Sequence, residues 1–207
     1  MIVKNLKIFL QNVRKNSLIV NTLLETLNQF NIILIQEPLW PKIRKIPSTL
    51  NSDGKPLMST SHYPNWISFT RIPLDEKDFP KVITYVNIHL SSLHFLFCKN
   101  IINHRDISLI FFFNNNVCFY IMNVYSDSSH TALKYLKDTE VNIDNIILMT
   151  SDFNIRNSLW NSSFPFHSSL SNDLIIIADS FNLALSTPTN LCYTAGKSNS
   201  VIDLMFL

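Results

Sequence analysis

Ile146-Ile147-Leu148-Met149-Thr150-Ser151-Asp152-Phe153-Asn154 is a short apolar run that ends in an acid and an amide. An apolar run of this length, bounded by polar residues, suits a buried strand better than a helix. A strand that exits on Asp152 and Asn154 delivers both to a sheet rim, where binding residues tend to gather. The same arrangement recurs along the chain. Gln11-Asn12 follows Leu6 to Leu10, Gln36-Glu37 follows Ile32 to Ile35, Asn123 and Tyr125 flank Val124, and Asp203 lies in Ser200-Val201-Ile202-Asp203-Leu204-Met205. Strands packed in one core bring their ends to one rim, so these groups are expected to converge although they are far apart in sequence.

Leu6 to Val13 alternates apolar and polar residues like a half-buried strand, and Val20, Leu23, Leu24 and Leu27 make one apolar helical face, capped by Asn16 or Ser17. From Pro38 to about Pro80 the proline-rich polar sequence reads as loops around a short strand at Trp66 to Phe69. Val82 to Ile88 is a further strand. Ile107 to Phe113 and Val117 to Val124 form a hairpin across Asn114-Asn115-Asn116. A short helix through Ala132, Leu133 and Leu136, introduced by Ser128-Ser129, a helix over Ser171 to Phe181 and a last strand over Val201 to Leu207 complete the set. Hairpins mixed with crossovers predict an α/β (α+β) domain: a four-layer sandwich of two packed mixed β-sheets flanked by helices, spanning residues 1–207 as one unit.

Composition narrows the function. Hydrophobic residues are 46% and charged residues 15%, enough for a core and too few charges for a disordered chain. The net charge of +2 permits a polyanionic partner without requiring one. Cys98, Cys118 and Cys192 are odd in number and form no C-x-x-C pair, which points to an intracellular protein, nuclear or cytoplasmic. No segment reaches the ~20 continuous apolar residues of a membrane helix, so no membrane partner is expected. With glycine only at Gly54 and Gly196, glycine-rich phosphate loops are excluded, and phosphate chemistry would fall to side chains and metal. His89, His94, Cys98 and His104 match no common zinc spacing and read as ordinary core or surface residues.

The order of the polar strand ends resembles the endonuclease/exonuclease/phosphatase family, most closely the endonuclease domains of non-LTR retrotransposons. Gln11-Asn12-Val13-Arg14 stands for its asparagine motif, Ile35-Gln36-Glu37-Pro38 for its glutamate motif and Asn123-Val124-Tyr125 for its tyrosine motif. Ser151-Asp152-Phe153-Asn154 stands for its Gly-Asp-Phe-Asn motif, with serine in place of glycine, and Leu159-Trp160 and Asp203 follow in the same order. The resemblance implies a metal-dependent DNA endonuclease that nicks one strand and leaves a 3′ hydroxyl. Magnesium would be the cofactor, replaceable by manganese, with Glu37 as main ligand beside Asn12 and Asp152. Asp152 would orient or deprotonate the attacking water, Asn154 would bond the phosphate or that water, Tyr125 would donate to a phosphate oxygen, and Asp203 would orient a later histidine.

The family's Ser-Asp-His motif would lie on a strand after Asp203, and the sequence ends at Leu207. The expectation is therefore weak activity and an exposed, aggregation-prone sheet edge in this chain. DNA is the implied partner, with a reverse transcriptase in a longer parent polyprotein. Two other readings keep the ancestry: a phosphatase acting on a phosphorylated small molecule or lipid headgroup, and an inactive DNA-binding remnant of a mobile element.

Overall fold

A computed structural model describes residues 6–43, 57–71, 73, 78–90, 92–139, 141, 143–155, 157–160, 168–186 and 203–207. The first sheet contains β1 (Ile8–Asn12), β2 (Ile32–Gln36), β5 (Trp66–Phe69) and β6 (Val82–Asn87) in the order β1-β2-β6-β5. The second contains β7 (His94–Phe97), β8 (Ile107–Phe113), β9 (Cys118–Tyr125), β10 (Ile146–Asp152), β11 (Leu185–Ser186) and β12 (Asp203–Phe206) in the order β11-β12-β10-β9-β8-β7. Two short strands, β3 (Lys42–Ile43) and β4 (Leu57–Met58), pair separately. Both large sheets are mixed: β1 runs parallel to β2 and β9 parallel to β10, while β2–β6, β5–β6, β7–β8, β8–β9 and β10–β12 are antiparallel.

Three apolar layers hold the fold together. Ile33, Ile35, Ile83 and Tyr85 on the outer face of the first sheet meet Val20 and Leu24 of α1 (Ser17–Thr26). Ile32, Leu34 and Val86 on its inner face meet Ile110, Phe112, Phe119, Ile121 and Leu148 of the second sheet. Leu109, Met122, Val124, Met149 and Phe206 on the far side are covered by Ala132, Leu133 and Leu136 of α2 (Thr131–Asp138) and by Leu174, Ile177 and Ala178 of α3 (Ser169–Ser180). The stacking is helix, sheet, sheet, helices, the four-layer sandwich expected from the sequence. No helix among the described residues is long and apolar enough to cross a membrane.

Local chemistry sets the boundaries. The Asn16 side chain accepts from the Leu18 and Ile19 amides and starts α1, and Ser168 accepts from the Ser171 amide at the start of α3. The Asn114 side chain accepts from the amides of Asn116 and Val117 and closes the β8–β9 hairpin. Ser128-Ser129 does not cap α2. His130 occupies that position in a left-handed conformation, and Asp127 satisfies the Ser129 and Thr131 amides instead. The strand β7 is additional to the strands expected from the sequence: His94 and Leu96 are exposed while Phe95 and Phe97 pack inward, the alternation of an edge strand. Of the last predicted strand, Asp203–Phe206 is observed, and residues 201 and 202 lie outside the described ones.

Candidate active site

The inward faces of four strands carry polar residues at the rim. Ile8 and Leu10 precede Asn12, Ile32 and Leu34 precede Gln36, Phe119 and Ile121 precede Asn123 and Tyr125, and Leu148 precedes Thr150 and Asp152. Period two keeps each polar residue on the same face as its apolar predecessors. The apolar gap between the sheets therefore ends in a polar layer that opens to solvent.

Glu37 is the exception to this parity, because it follows the last residue of β2. Its backbone is left-handed, with φ 48°, a conformation that carries strain in a non-glycine residue and is often found at functional sites. The turn is held from both sides. The Glu37 amide donates to the Lys81 carbonyl at 2.8 Å, and its carbonyl accepts from the Lys15 amide at 2.7 Å. So placed, its carboxylate accepts a 2.9 Å hydrogen bond from the Tyr125 hydroxyl of the opposite sheet. Burial, then this bond and the charge of Glu37, push the Tyr125 hydroxyl well above the ordinary tyrosine range, so Tyr125 stays a donor.

Asp152 faces Asn12. The Asn12 amide donates to Asp152 Oδ2 at 2.9 Å, and its carbonyl oxygen accepts from the Arg14 amide. The other carboxylate oxygen accepts from the Asn154 amide at 3.2 Å, and Asn154, also left-handed at φ 53°, gives its side-chain amide to the Ser126 carbonyl. Burial raises the Asp152 carboxyl, its bonds to Asn12 and Asn154 pull it back, and the charge of Glu37 adds to the rise. Asp203 opens β12 directly opposite Asp152 in the antiparallel register; its side chain lies outside the described residues.

Asn12, Glu37, Tyr125, Asp152 and Asn154 therefore stand at one rim, on elements far apart in sequence. Tyr125 is engaged with Glu37 here, and the side-chain amide of Asn154 with Ser126. Among the described residues no group of three or more His, Cys, Asp and Glu gathers. The donor set is two carboxylates and amide oxygens. That suits magnesium, which takes one or two carboxylates and keeps several waters.

Two further residues of the motifs, Gln36 and Asn123, support the site from beneath. Gln36 is fully buried; its amide donates to the Val124 carbonyl at 2.9 Å, and its oxygen accepts from the Asp152 amide at 3.0 Å. Asn123, also fully buried, reaches the other way and donates to the carbonyls of Ile35 and Ile83. Their only sequence signal was being amides at the ends of apolar strands. Ser126 shares a 2.7 Å hydrogen bond with His130 beside Asn154.

Asp106 lies next to the rim, its carbonyl accepting from the Tyr125 amide. It is fully buried, one of its oxygens has no partner among the described residues, and burial pushes its carboxyl from 3.8 up to about 6. A raised acid binds its proton more tightly folded than unfolded, so its contribution to stability is lost as pH rises from about 4 to about 6 and stays lost above that. Asp106→Asn is expected to stabilise the fold by about 1 to 3 kcal/mol at pH 8 and to have little effect below pH ~4. Paired urea melts at the two pH values check this; an equal effect at both would exclude the buried charge as its cause.

The family model described as endonuclease-reverse transcriptase matches residues 117–207. Among solved structures, the endonuclease domain of TRAS1, a telomere-specific non-LTR retrotransposon, matches with a TM-score of 0.63 at 14% identity, over 97% of this chain and 83% of that one. An endonuclease/exonuclease/phosphatase family protein from Leptotrichia buccalis C-1013-b gives a TM-score of 0.47 at 11% identity, over 98% and 87%. No curated protein matches the chain. The chain has the α/β sandwich fold seen in the TRAS1 endonuclease domain, and over residues 117–207 it is similar to the family described as endonuclease-reverse transcriptase.

Proposed function

We propose that this protein is a divalent-metal-dependent phosphodiesterase, a DNA endonuclease of the retrotransposon type. The observation that carries the proposal is a pair of hydrogen bonds across the two sheets at one rim, from Tyr125 to Glu37, just after β2, and from Asn12 to Asp152 at the end of β10. Glu37 would hold magnesium, or manganese in its place, with Asp152 and the Asn12 carbonyl oxygen beside it. When bound, the ion supplies charge neutralisation at the phosphate, where hydrolysis builds negative charge. Asp152, its carboxyl raised by burial, is suited to take a proton from a water molecule. Tyr125 supplies a permanent O–H donor at the edge of the cleft, and the side-chain oxygen of Asn154 can orient the water. Attack by that water would form a new P–O bond and break the bond from phosphorus to the 3′ oxygen, which takes a proton from solvent to become the 3′ hydroxyl while the phosphate stays on the 5′ side. The family match also supports a reverse transcriptase partner in a longer polyprotein.

Purified protein with supercoiled plasmid and magnesium should yield open circles, and chelation should stop the reaction. Phosphate release from inositol phosphates without nicking would favour a phosphatase. A salt-dependent mobility shift without cutting, with either metal, would favour an inactive DNA-binding remnant.

A further inference from the structure

Between the sheets, directly beneath Glu37 and Asp152, two buried amides cross. Gln36 reaches from the first sheet to the backbone of β9 and β10 in the second. Asn123 reaches from the second sheet to the backbone of β2 and β6 in the first. The two side chains also meet each other at 3.5 Å. We infer that Gln36, with Asn123 as its counterpart, is the positioning residue of this site and sets the separation of Glu37 and Asp152. This rests on the metal-dependent reading above.

Buried polar groups are normally satisfied, so the plain alternative is that these amides only fill bonding needs at strand ends. The choice of partners argues for more. Gln36 does not bond the nearest ladder of its own sheet. Its oxygen takes the amide of Asp152 itself, and the residue that follows it in sequence is Glu37. One side chain thus connects by a single bond to the backbone of one acid and by a single peptide to the other. Asn123 fixes β2 at Ile35, one residue before Gln36. An apolar pair of equal volume would keep the sheets packed but remove the bonds that fix their offset at this rim, so the two acids would be held less tightly at their present separation.

Gln36→Met keeps the length and removes every bond. Thr84→Val is the comparison, because Thr84 and Ser108 form another buried hydrogen bond between the sheets, at 3.0 Å, that touches neither acid. Mn2+ affinity is read by paramagnetic resonance titration, plasmid nicking by kcat and KM, and stability by Tm. Gln36→Met should weaken Mn2+ binding about tenfold or more and lower kcat by a similar factor, as loss of groups that orient metal ligands does. KM for DNA should change little, and Thr84→Val should lower Tm alone. If Gln36→Met does not fold, Asn123→Leu, which removes the counterpart's bonds to Ile35 and Ile83 at equal size and adds no charge, takes its place, should show the same shift in smaller measure and is read in the same way. Wild-type Mn2+ affinity in the Gln36 variant, with a Tm loss like that of Thr84→Val, overturns the inference. A wild type that binds Mn2+ but nicks nothing overturns the hydrolase reading instead, and the metal affinities still decide this one.

Discussion

Glu37→Gln is expected to slow plasmid nicking by about 10²-fold or more at saturating magnesium, in line with the loss of one group that stabilises transition-state charge. The substitution keeps the size of the side chain, and an amide oxygen can still accept from the Tyr125 hydroxyl, so the turn at position 37 should survive. What disappears is the negative charge that a hard cation needs. The magnesium midpoint should rise together with the fall in rate. Tm should move little, since Glu37 is half-buried at the rim and its backbone bonds to Lys15 and Lys81 are untouched. Rates within tenfold of wild type at saturating metal would remove Glu37 from the metal site.

Asp152→Asn should cost about 10² to 10⁴ in rate, the range expected when a proton acceptor is lost. The two side chains have the same shape, so the loss would be chemical. Because burial raises the Asp152 carboxyl, the wild-type rate should climb with pH as this group gives up its proton, and the variant should lack that limb. Stability should respond in the opposite sense. A carboxyl raised on folding destabilises the fold once ionised, so at neutral pH the asparagine variant should melt at or above the wild-type temperature. An active site that costs stability is a familiar compromise. A variant that keeps the wild-type rate and pH profile would show that another group takes the proton.

Much of this was legible in the sequence because period two does two jobs at once. The apolar residues that mark β1, β2, β9 and β10 as strands also fix which face is buried, and Asn12, Gln36, Tyr125 and Asp152 continue that face. Glu37 was recognised by its motif, but its parity pointed the wrong way, and only the left-handed turn corrects it. A positive φ in a non-glycine residue leaves no composition signal. The helix α2 through Ala132, Leu133 and Leu136 is found where expected, but how it starts leaves no such signal: the first turn is held by Asp127, and His130 occupies the cap position in a left-handed conformation. β7 escaped notice because an edge strand rich in phenylalanine looks like core until its partner is known. The cross-sheet roles of Gln36 and Asn123 depend on two sheets docking, which no local pattern encodes.

That docking also dictates when the site can exist during folding. The bond from Asn12 to Asp152 joins residues 140 apart in sequence, and the bond from the Asp152 amide to Gln36 spans 116. Contacts this distant bear the full entropic cost of loop closure and form late, after local hairpins such as β8–β9. Neither half of the chain holds a complete constellation, since Asn12 and Glu37 lie in the first sheet and Tyr125 and Asp152 in the second. A nascent or partly folded chain presents strands, helices and most of its core before these residues are brought together. If the proposed nuclease function holds, cleavage would require the long-range closures between Asn12, Gln36 and Asp152, and a chain still folding would be inert towards nucleic acid.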